Sequence, residues 1–293
     1  MIPRFHCPVP LAPGALVELP AAIAHHALKV LRMKDGDALV LFDGTGGEWR
    51  ATLKVGRPLA AEGAPRSGGE ASASGMRDAG FRSAADPSAS SVASPQAGPL
   101  LQAPASPRGT ALALLHEFEE RESESPLAVT LVQALPAGDK MDWVVEKCIE
   151  LGVAAIQPVA AKRSVMRLTP DRMARRIAHW NAIARAACEQ CGRNRVPPVL
   201  PVLDLPQYLA QTQTQNACRL LLSPHGSQAL RAQAKPAAPI VAMIGPEGGW
   251  DEGEIAAARA AGFAELRLGP RVLRTETAGA ALLAALQALW GDF

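Results

Sequence analysis

The sequence predicts an α/β protein, a parallel sheet covered by helices on both faces, preceded by a small β-rich unit. Three observations predict it. Residues 126–293 alternate apolar strand-like runs with segments of helical period, the pattern of parallel α/β sheets. Residues 1–57 hold short runs of period two separated by turn residues. Between them, residues 58–110 are about two-thirds Ala, Ser, Gly and Pro. That composition buries too little apolar surface to offset ordering entropy, so 58–110 is expected to be a disordered insertion.

In the N-terminal unit, "GALVELP" alternates as a strand. "AAIAHHALKVLR" predicts one short helix with Ile23, Ala27, Val30 and Leu31 on a face. "DALVLF" and "EWRATLKV" predict strands joined by the turn "DGTGG". "ALALLHEF", within 111–120, is expected to complete this unit, and "EERESES" reads as a solvated linker.

In the C-terminal unit, "LAVTLVQAL" predicts a buried strand. "DKMDWVVEKCIELG" predicts an amphipathic helix capped by Asp139, with Met141, Val144, Val145, Cys148 and Ile149 as its stripe and Gly152 as its stop. "AAIQPVA" is the next strand. The segment 169–192 opens with Thr169 and Pro170 and stops at Gly192, as a helix does. "CRLLLS", "PIVAMIG" and "AELRLG" predict further strands. "DEGEIAAARAAG" predicts a helix with Asp251 and Glu254 in capping-box spacing. "TETAGAALLAALQALW" predicts a last helix so apolar, through Leu282, Leu283, Leu286, Leu289 and Trp290, that it is either core or shared across a dimer.

Composition narrows the classes. The chain has 293 residues, 48% of them apolar, enough for a core in each of two domains. Its net charge of +2 gives no global polyanion signal, so any nucleic-acid footprint has to be local. "MIPRFHCPVPLAPG" lacks a basic region followed by an apolar run, so no signal peptide is expected, and no apolar window is long enough for a membrane span. Five cysteines without framework spacing fit reduced thiols in a cytoplasm.

Chemistry concentrates in "IVAMIGPEGGWDEGEI", residues 240–255. Gly245 follows a strand end directly, where ligands bind in open α/β sheets. Gly248 and Gly249 lack Cβ atoms and expose backbone, Pro246 stiffens the turn, and the following helix offers unpaired N–H groups. A tight turn without a ligand explains that segment equally well. "LRLGPRVLRTETAGA", residues 266–280, repeats the pattern at Gly269 and Pro270, and "LLLSPHG" at 220–226 borders it. Two adjacent strand ends with Gly-Pro turns would form a backbone-rich crevice for a flat, hydrogen-bonding ligand such as adenine.

Other motifs carry less. "LVLFDGTGGEW" resembles a methyltransferase opening, but the run after it alternates as a strand, so a hairpin turn is expected. Cys188 and Cys191 lie late in a helix without a second pair, so core thiols are expected and no metal. His25 and His26 diverge on their helix, and there is no P-loop. Basic residues cluster in "AKRSVMRLTPDRMARR" and "GRNRVP"; a solvated face accounts for the helical arginines. Arg163, Arg193 and Arg195 lie by turns and suit phosphate positioning by a structured RNA, together with Arg4, Arg32 and Lys140.

As an ordered set, "PRFHCP", "HHALKVLRMKDGD", "LFDGTGGEWRA", "LPAGDKMDWVVEKCIELGV", "PVAAKRSV", "ARAACEQCGRNRVP", "IGPEGGWDEGEI" and "LGPRVLRTETA" resemble the RsmE family over nearly all of the chain outside 58–110. The family comprises SPOUT-class methyltransferases that modify N3 of a uridine in small-subunit (16S) ribosomal RNA with S-adenosylmethionine. The resemblance implies a PUA-like β-barrel over 1–57, completed by 111–120, and a SPOUT methyltransferase domain with a trefoil knot over 126–293. It also implies a homodimer with the cofactor in the knot, acting on ribosomal RNA or the small subunit. Its cofactor loops fall on Gly245, Pro246, Glu247, Gly248 and Gly249, with Ile244 before them, and on Leu268 to Leu273, with Leu268, Gly269, Pro270 and Leu273 as the named contacts. Leu222, Ser223, Thr277 and Ala278 lie beside them. Ala137 stands where the family usually has Lys.

Uracil N3 is a poor nucleophile until its proton leaves, so a base or an anion-stabilising cation is needed. Arg274 is the candidate for the anion and Glu276 or Glu247 for the proton, while Thr275 is expected to cap its helix. The rivals are a nucleotide-binding enzyme using the Gly-Pro turns as an anion cradle, and a non-catalytic RNA-binding or ribosome-assembly module.

Overall fold

In the computed structural model, which describes residues 2–56, 110–164, 169–212 and 216–293, the chain folds as two units. The insertion assigned to 58–110 lies outside the described residues except for Thr110. The N-terminal sheet has the order β1-β3-β4-β5-β2, from β1 (Arg4–His6), β2 (Leu16–Glu18), β3 (Ala38–Phe42), β4 (Glu48–Gly56) and β5 (Thr110–Glu119). β3 and β4 form the hairpin expected around "DGTGG". Phe5, Leu19, Leu39, Leu41, Leu53 and Leu115 form its core.

The helix α1 (Ala21–His25) runs into a π-turn over His26–Val30, in which the Leu31 amide donates to His26 O. The wider turn rotates the following side chains. Ala27 is buried as expected, but Val30 and Leu31 are 59% and 44% exposed, which corrects the predicted apolar face.

The second sheet is wholly parallel among the described strands, in the order β10-β12-β9-β11-β6-β7-β8. Its strands are β6 (Val129–Ala134), β7 (Ala155–Ala160), β8 (Leu203–Asp204), β9 (Cys218–Leu222), β10 (Gln228–Ala229), β11 (Ile240–Ile244) and β12 (Ala264–Arg267). Alternate residues serve opposite faces. Ile240, Ala242 and Ile244 join α2 (Lys140–Glu150), α3 (Pro170–Cys191) and α6 (Thr275–Trp290) in one core. Val241 and Met243 join α4 (Leu205–Thr212) and α5 (Glu252–Ala260) in another. Burial on both faces explains the continuously apolar strands. The expected stripe of α2 is its buried face, and Asp251 and Glu254 form the expected capping box of α5. On α6, Leu282, Leu283 and Leu286 are core, so most of its apolar character is satisfied within one chain.

The two units meet along a polar seam. The Arg4 guanidinium donates to Asn194 Oδ1 at 2.7 Å and pairs with Glu48, and Glu189 accepts the His6 amide at 2.9 Å. "EERESES" is therefore more than a solvated linker: Glu124 takes the Arg193 guanidinium at 2.8 Å, and Glu122 accepts the Gly47 amide at 2.9 Å. Among the described residues, no helix is long and apolar enough to cross a membrane.

Candidate functional site

A cleft of about 600 Å³ opens at the carboxyl ends of β9, β11 and β12. β9 lies between β11 and β12. The Gly-Pro turns after β11 and β12 are thus not on adjacent strands, as the sequence suggested; the turn at 223–226 sits between them. Ser223, expected at the border, is central and buried, with its amide donating to Leu266 O at 3.0 Å and its Oγ accepting from the His225 amide at 3.2 Å.

Leu222, Ser223, Ile244 through Gly249, Leu268, Leu273 and Ala278 line the cleft. Gly269 and Pro270 belong to the turn after β12 and Thr277 to the first turn of α6, and none of the three lines the cleft. Arg271 and Val272, inside the expected loop from Leu268 to Leu273, also line it, whereas sequence reasoning did not single out Pro224, His225, Trp250, Ile255 or Arg267. All of them lie inside the recognised motifs, and that position was the available signal.

The wall is largely main chain because side chains are absent where one would intrude. A Cβ on Gly245 would lie 3.1 Å from Trp250 Nε1, and one on Gly248 would lie 3.2 Å from Arg163 Cβ. The Trp250 Nε1–H is buried with no hydrogen-bond partner among the described residues. Bare backbone, an unused indole donor and an apolar floor suit a flat heterocycle with hydrogen-bonding edges.

Arg163, expected at an RNA surface, instead lies over the turn and donates to Gly248 O at 2.9 Å. Lys140, likewise assigned to RNA, bonds Glu247 Oε1 at 2.8 Å and lies 3.6 Å from Glu276 Oε2. Glu247 also accepts the Ala137 amide at 3.0 Å, a main-chain contact indifferent to the side chain at 137. Burial pushes Glu247 up, but the Lys140 bond and the amides of Glu247 itself and Ala137 outweigh it and hold its carboxyl below the ordinary value. Glu247 therefore ties the turn to the start of α2. Glu276 differs: its side chain is 17% exposed, and its Oε2 is buried with no hydrogen-bond partner among the described residues.

Arg274 is the N-cap residue of α6, exposed at the cleft, and makes no ion pair among the described residues. Thr275, expected as the cap, is the first helical residue instead. It is buried, and its hydroxyl donates to Gly245 O at 2.5 Å.

Two of the remaining RNA assignments are corrected. Arg193 is 5% exposed and donates to Ile149 O at 3.0 Å and Val153 O at 2.9 Å besides Glu124. Arg4 is spent on Glu48 and Asn194. Arg32 and Arg195 are exposed; Arg195 lies beside the β3–β4 turn, 3.5 Å from Glu122. Cys188 and Cys191 lie at the end of α3, where burial pushes the Cys188 thiol up to about 12. Among the described residues, no His, Cys, Asp and Glu group is arranged to hold a metal ion.

Comparison with known proteins agrees with this architecture. Residues 123–287 match the model of an RNA methyltransferase domain, and residues 19–58 match that of an RNA methyltransferase PUA domain. The ribosomal RNA small subunit methyltransferase E of Synechocystis sp. is 31% identical over 94% of this chain and 74% of its own. The protein of that name from Bacillus subtilis is 33% identical over 59% and 70%. A crystal structure of the Neisseria gonorrhoeae ribosomal RNA small subunit methyltransferase E bound to S-adenosyl methionine superposes with a TM-score of 0.77 at 35% identity, covering 100% of both chains. A putative methyltransferase from Legionella pneumophila, in complex with the same cofactor, gives 0.78 at 30% identity over 100% of both. Fold and cleft thus define an RNA methyltransferase with a PUA domain. The chain belongs to the ribosomal RNA small subunit methyltransferase E family.

Proposed function

We propose that this chain methylates N3 of a uridine in small-subunit (16S) ribosomal RNA, using S-adenosylmethionine. One observation carries the reading: three strand-end turns build a backbone-walled cleft, and at the start of one helix stand Arg274, which makes no ion pair among the described residues, and Glu276, whose Oε2 has no hydrogen-bond partner among them and lies 3.6 Å from Lys140. The names of the relatives and the cofactor in two related solved structures support it.

S-adenosylmethionine, when bound, supplies an activated methyl group. The turns 223–226, 245–249 and 268–273 would hold it, with Leu222, Ile244 and Ala278 as apolar contacts. The chain's own work is alignment and charge. Arg274 stabilises the uracil anion as its proton leaves. Glu276 accepts that proton. Glu247, paired with Lys140 and held charged, is assigned to positioning the turn.

The 1–57 unit with 111–120 is assigned to gripping RNA, and 126–293 to methyl transfer. Arg32 and Arg195 are the RNA contacts we retain. On family grounds we also propose the trefoil knot, a cytoplasmic location and a homodimer, the last tested by sedimentation. Incubation with labelled methyl donor and small ribosomal subunits, followed by nucleoside analysis, should give labelled N3-methyluridine. Arg274→Ala should abolish turnover with donor affinity near normal; retained turnover would exclude its role. RNA binding indifferent to S-adenosylhomocysteine, without methyl incorporation, would overturn the reading in favour of a binding module.

A further inference from the structure

Gln133 is buried at the centre of the parallel sheet. It sits next to last in β6, in register with Ile244 of β11, with its side chain fully covered. A polar side chain there is costly unless hydrogen-bonded. Its Nε2 donates to Ala134 O at 3.0 Å and to Thr275 Oγ1 at 2.9 Å. Thr275 has one hydroxyl proton, and that proton goes to Gly245 O at 2.5 Å. Toward Gln133 the hydroxyl can therefore only accept. Both partners of Nε2 demand a donor, so the amide orientation is set by its neighbours. Its Oε1 is left buried without a hydrogen-bond partner among the described residues. An apolar residue would avoid that cost, so the fold retains Gln133 against its local energetics.

The chain Gln133–Thr275–Gly245 ends at the first residue of the turn after β11 and passes through the first residue of α6. Arg274 and Glu276 flank Thr275 directly in sequence. The same hydrogen bonds that fix Thr275 thus fix the distance between the donor-holding turn and the two side chains that handle charge. α6 approaches β6 closely here: a Cβ on Gly279 would lie 3.3 Å from Leu131 Cδ2 and 3.6 Å from Gln133 Oε1.

We infer that Gln133 and Thr275 are positioning residues, holding the cradle at Gly245 and the start of α6 at one separation for methyl transfer. This rests on the function proposed above. Gln133 lies outside the cleft lining, and Thr275, which reaches the lining, has its hydroxyl turned to Gly245 O, so their loss should appear in kcat rather than in the capture of RNA.

The test compares Thr275→Val, Thr275→Ser, Gln133→Met and Gln157→Leu with the wild type in methyl transfer to small ribosomal subunits, with S-adenosylhomocysteine affinity from calorimetry. Thr275→Val should lower kcat on the order of 100-fold, the scale of a misplaced reacting group, with the KM for subunits unchanged. Thr275→Ser keeps the hydroxyl and should restore turnover. Gln133→Met leaves the Thr275–Gly245 bond and should lose less, which also decides the matter if Thr275→Val does not fold. Gln157 is another buried amide, bonded to Pro158 O at 2.9 Å and Pro201 O at 2.7 Å away from the cleft. Its replacement should lower Tm and leave kcat intact. Wild-type kcat in Thr275→Val and Gln133→Met, or losses matched by Gln157→Leu, would refute the relay. Absence of transfer by the wild type would instead bring down the parent function, and the relay with it.

Discussion

Glu247 and Glu276 are two carboxylates at one cleft, and what each can do follows from its partners. Glu247 is held below the ordinary carboxylate value, and the sign of that shift makes a prediction. A depressed folded pKa contributes stability that is complete above the unfolded value and is lost as pH falls through the folded one. The wild type should therefore exceed Glu247→Gln in stability at neutral pH, with the gap closing below about pH 4, near the unperturbed glutamate range. Urea titrations over that window measure it, and a gap that widens on acidification would contradict the pairing. The sequence placed both glutamates at the site but could not separate their roles. The hydrogen bonds that distinguish Glu247, from Lys140 and the Ala137 amide, come from 107 and 110 residues away along the chain, while Glu276 has only the longer ion pair with Lys140. Arg193 shows the same limit. Its place just past a helix end suggested exposure, while its burial depends on Ile149, Val153 and Glu124, which no local pattern connects to it.

At the scale of elements, local periodicity was a sound guide and strand order was not. Every residue expected on the α2 stripe is buried, because one helical face meets α3 and α6. The helix α4 escaped notice among prolines, although Leu205, Tyr208, Leu209 and Thr212 recur at helical spacing. No periodicity reveals that β9 inserts between β11 and β12, since parallel crossovers leave no turn signature linking neighbours. That insertion makes the 223–226 turn the middle of the cleft, and its geometry is demanding. A Cβ on Gly226 would lie 2.7 Å from the Leu266 carbonyl carbon and 3.0 Å from the Arg267 amide nitrogen. Backbone of β12 cannot retreat as a flexible side chain can. Gly226→Ala should cost ~1–3 kcal/mol, the range for overpacking a close contact, and should weaken S-adenosylhomocysteine binding because the displaced turn lines the cleft. Unchanged melting and unchanged affinity together would show that the turn has slack.

Across the whole molecule, the loop after α3 locks the N-terminal sheet to the cleft-bearing unit. Asn194 is fully buried, accepting from Arg4 of β1 at 2.7 Å and donating to Arg121 O in the linker. Arg193, beside it, is held by Glu124 and two carbonyls of the second unit. A buried network with several partners specifies one arrangement, because any displacement leaves polar groups unsatisfied. The unit assigned to RNA is thus presented at a defined angle to the cleft assigned to methyl transfer. If RNA bridges both, loosening the seam should leave the donor site intact and damage only the use of RNA. Asn194→Leu keeps the branched shape but removes both bonds, and Asn194 is not among the residues that line the cleft. Its S-adenosylhomocysteine affinity should match the wild type, while the KM for small ribosomal subunits rises about tenfold, equivalent to ~1.4 kcal/mol. Equal KM values would mean that RNA is held by the second unit alone. Loss of donor binding would mean that the seam supports the cleft itself rather than the angle between the units.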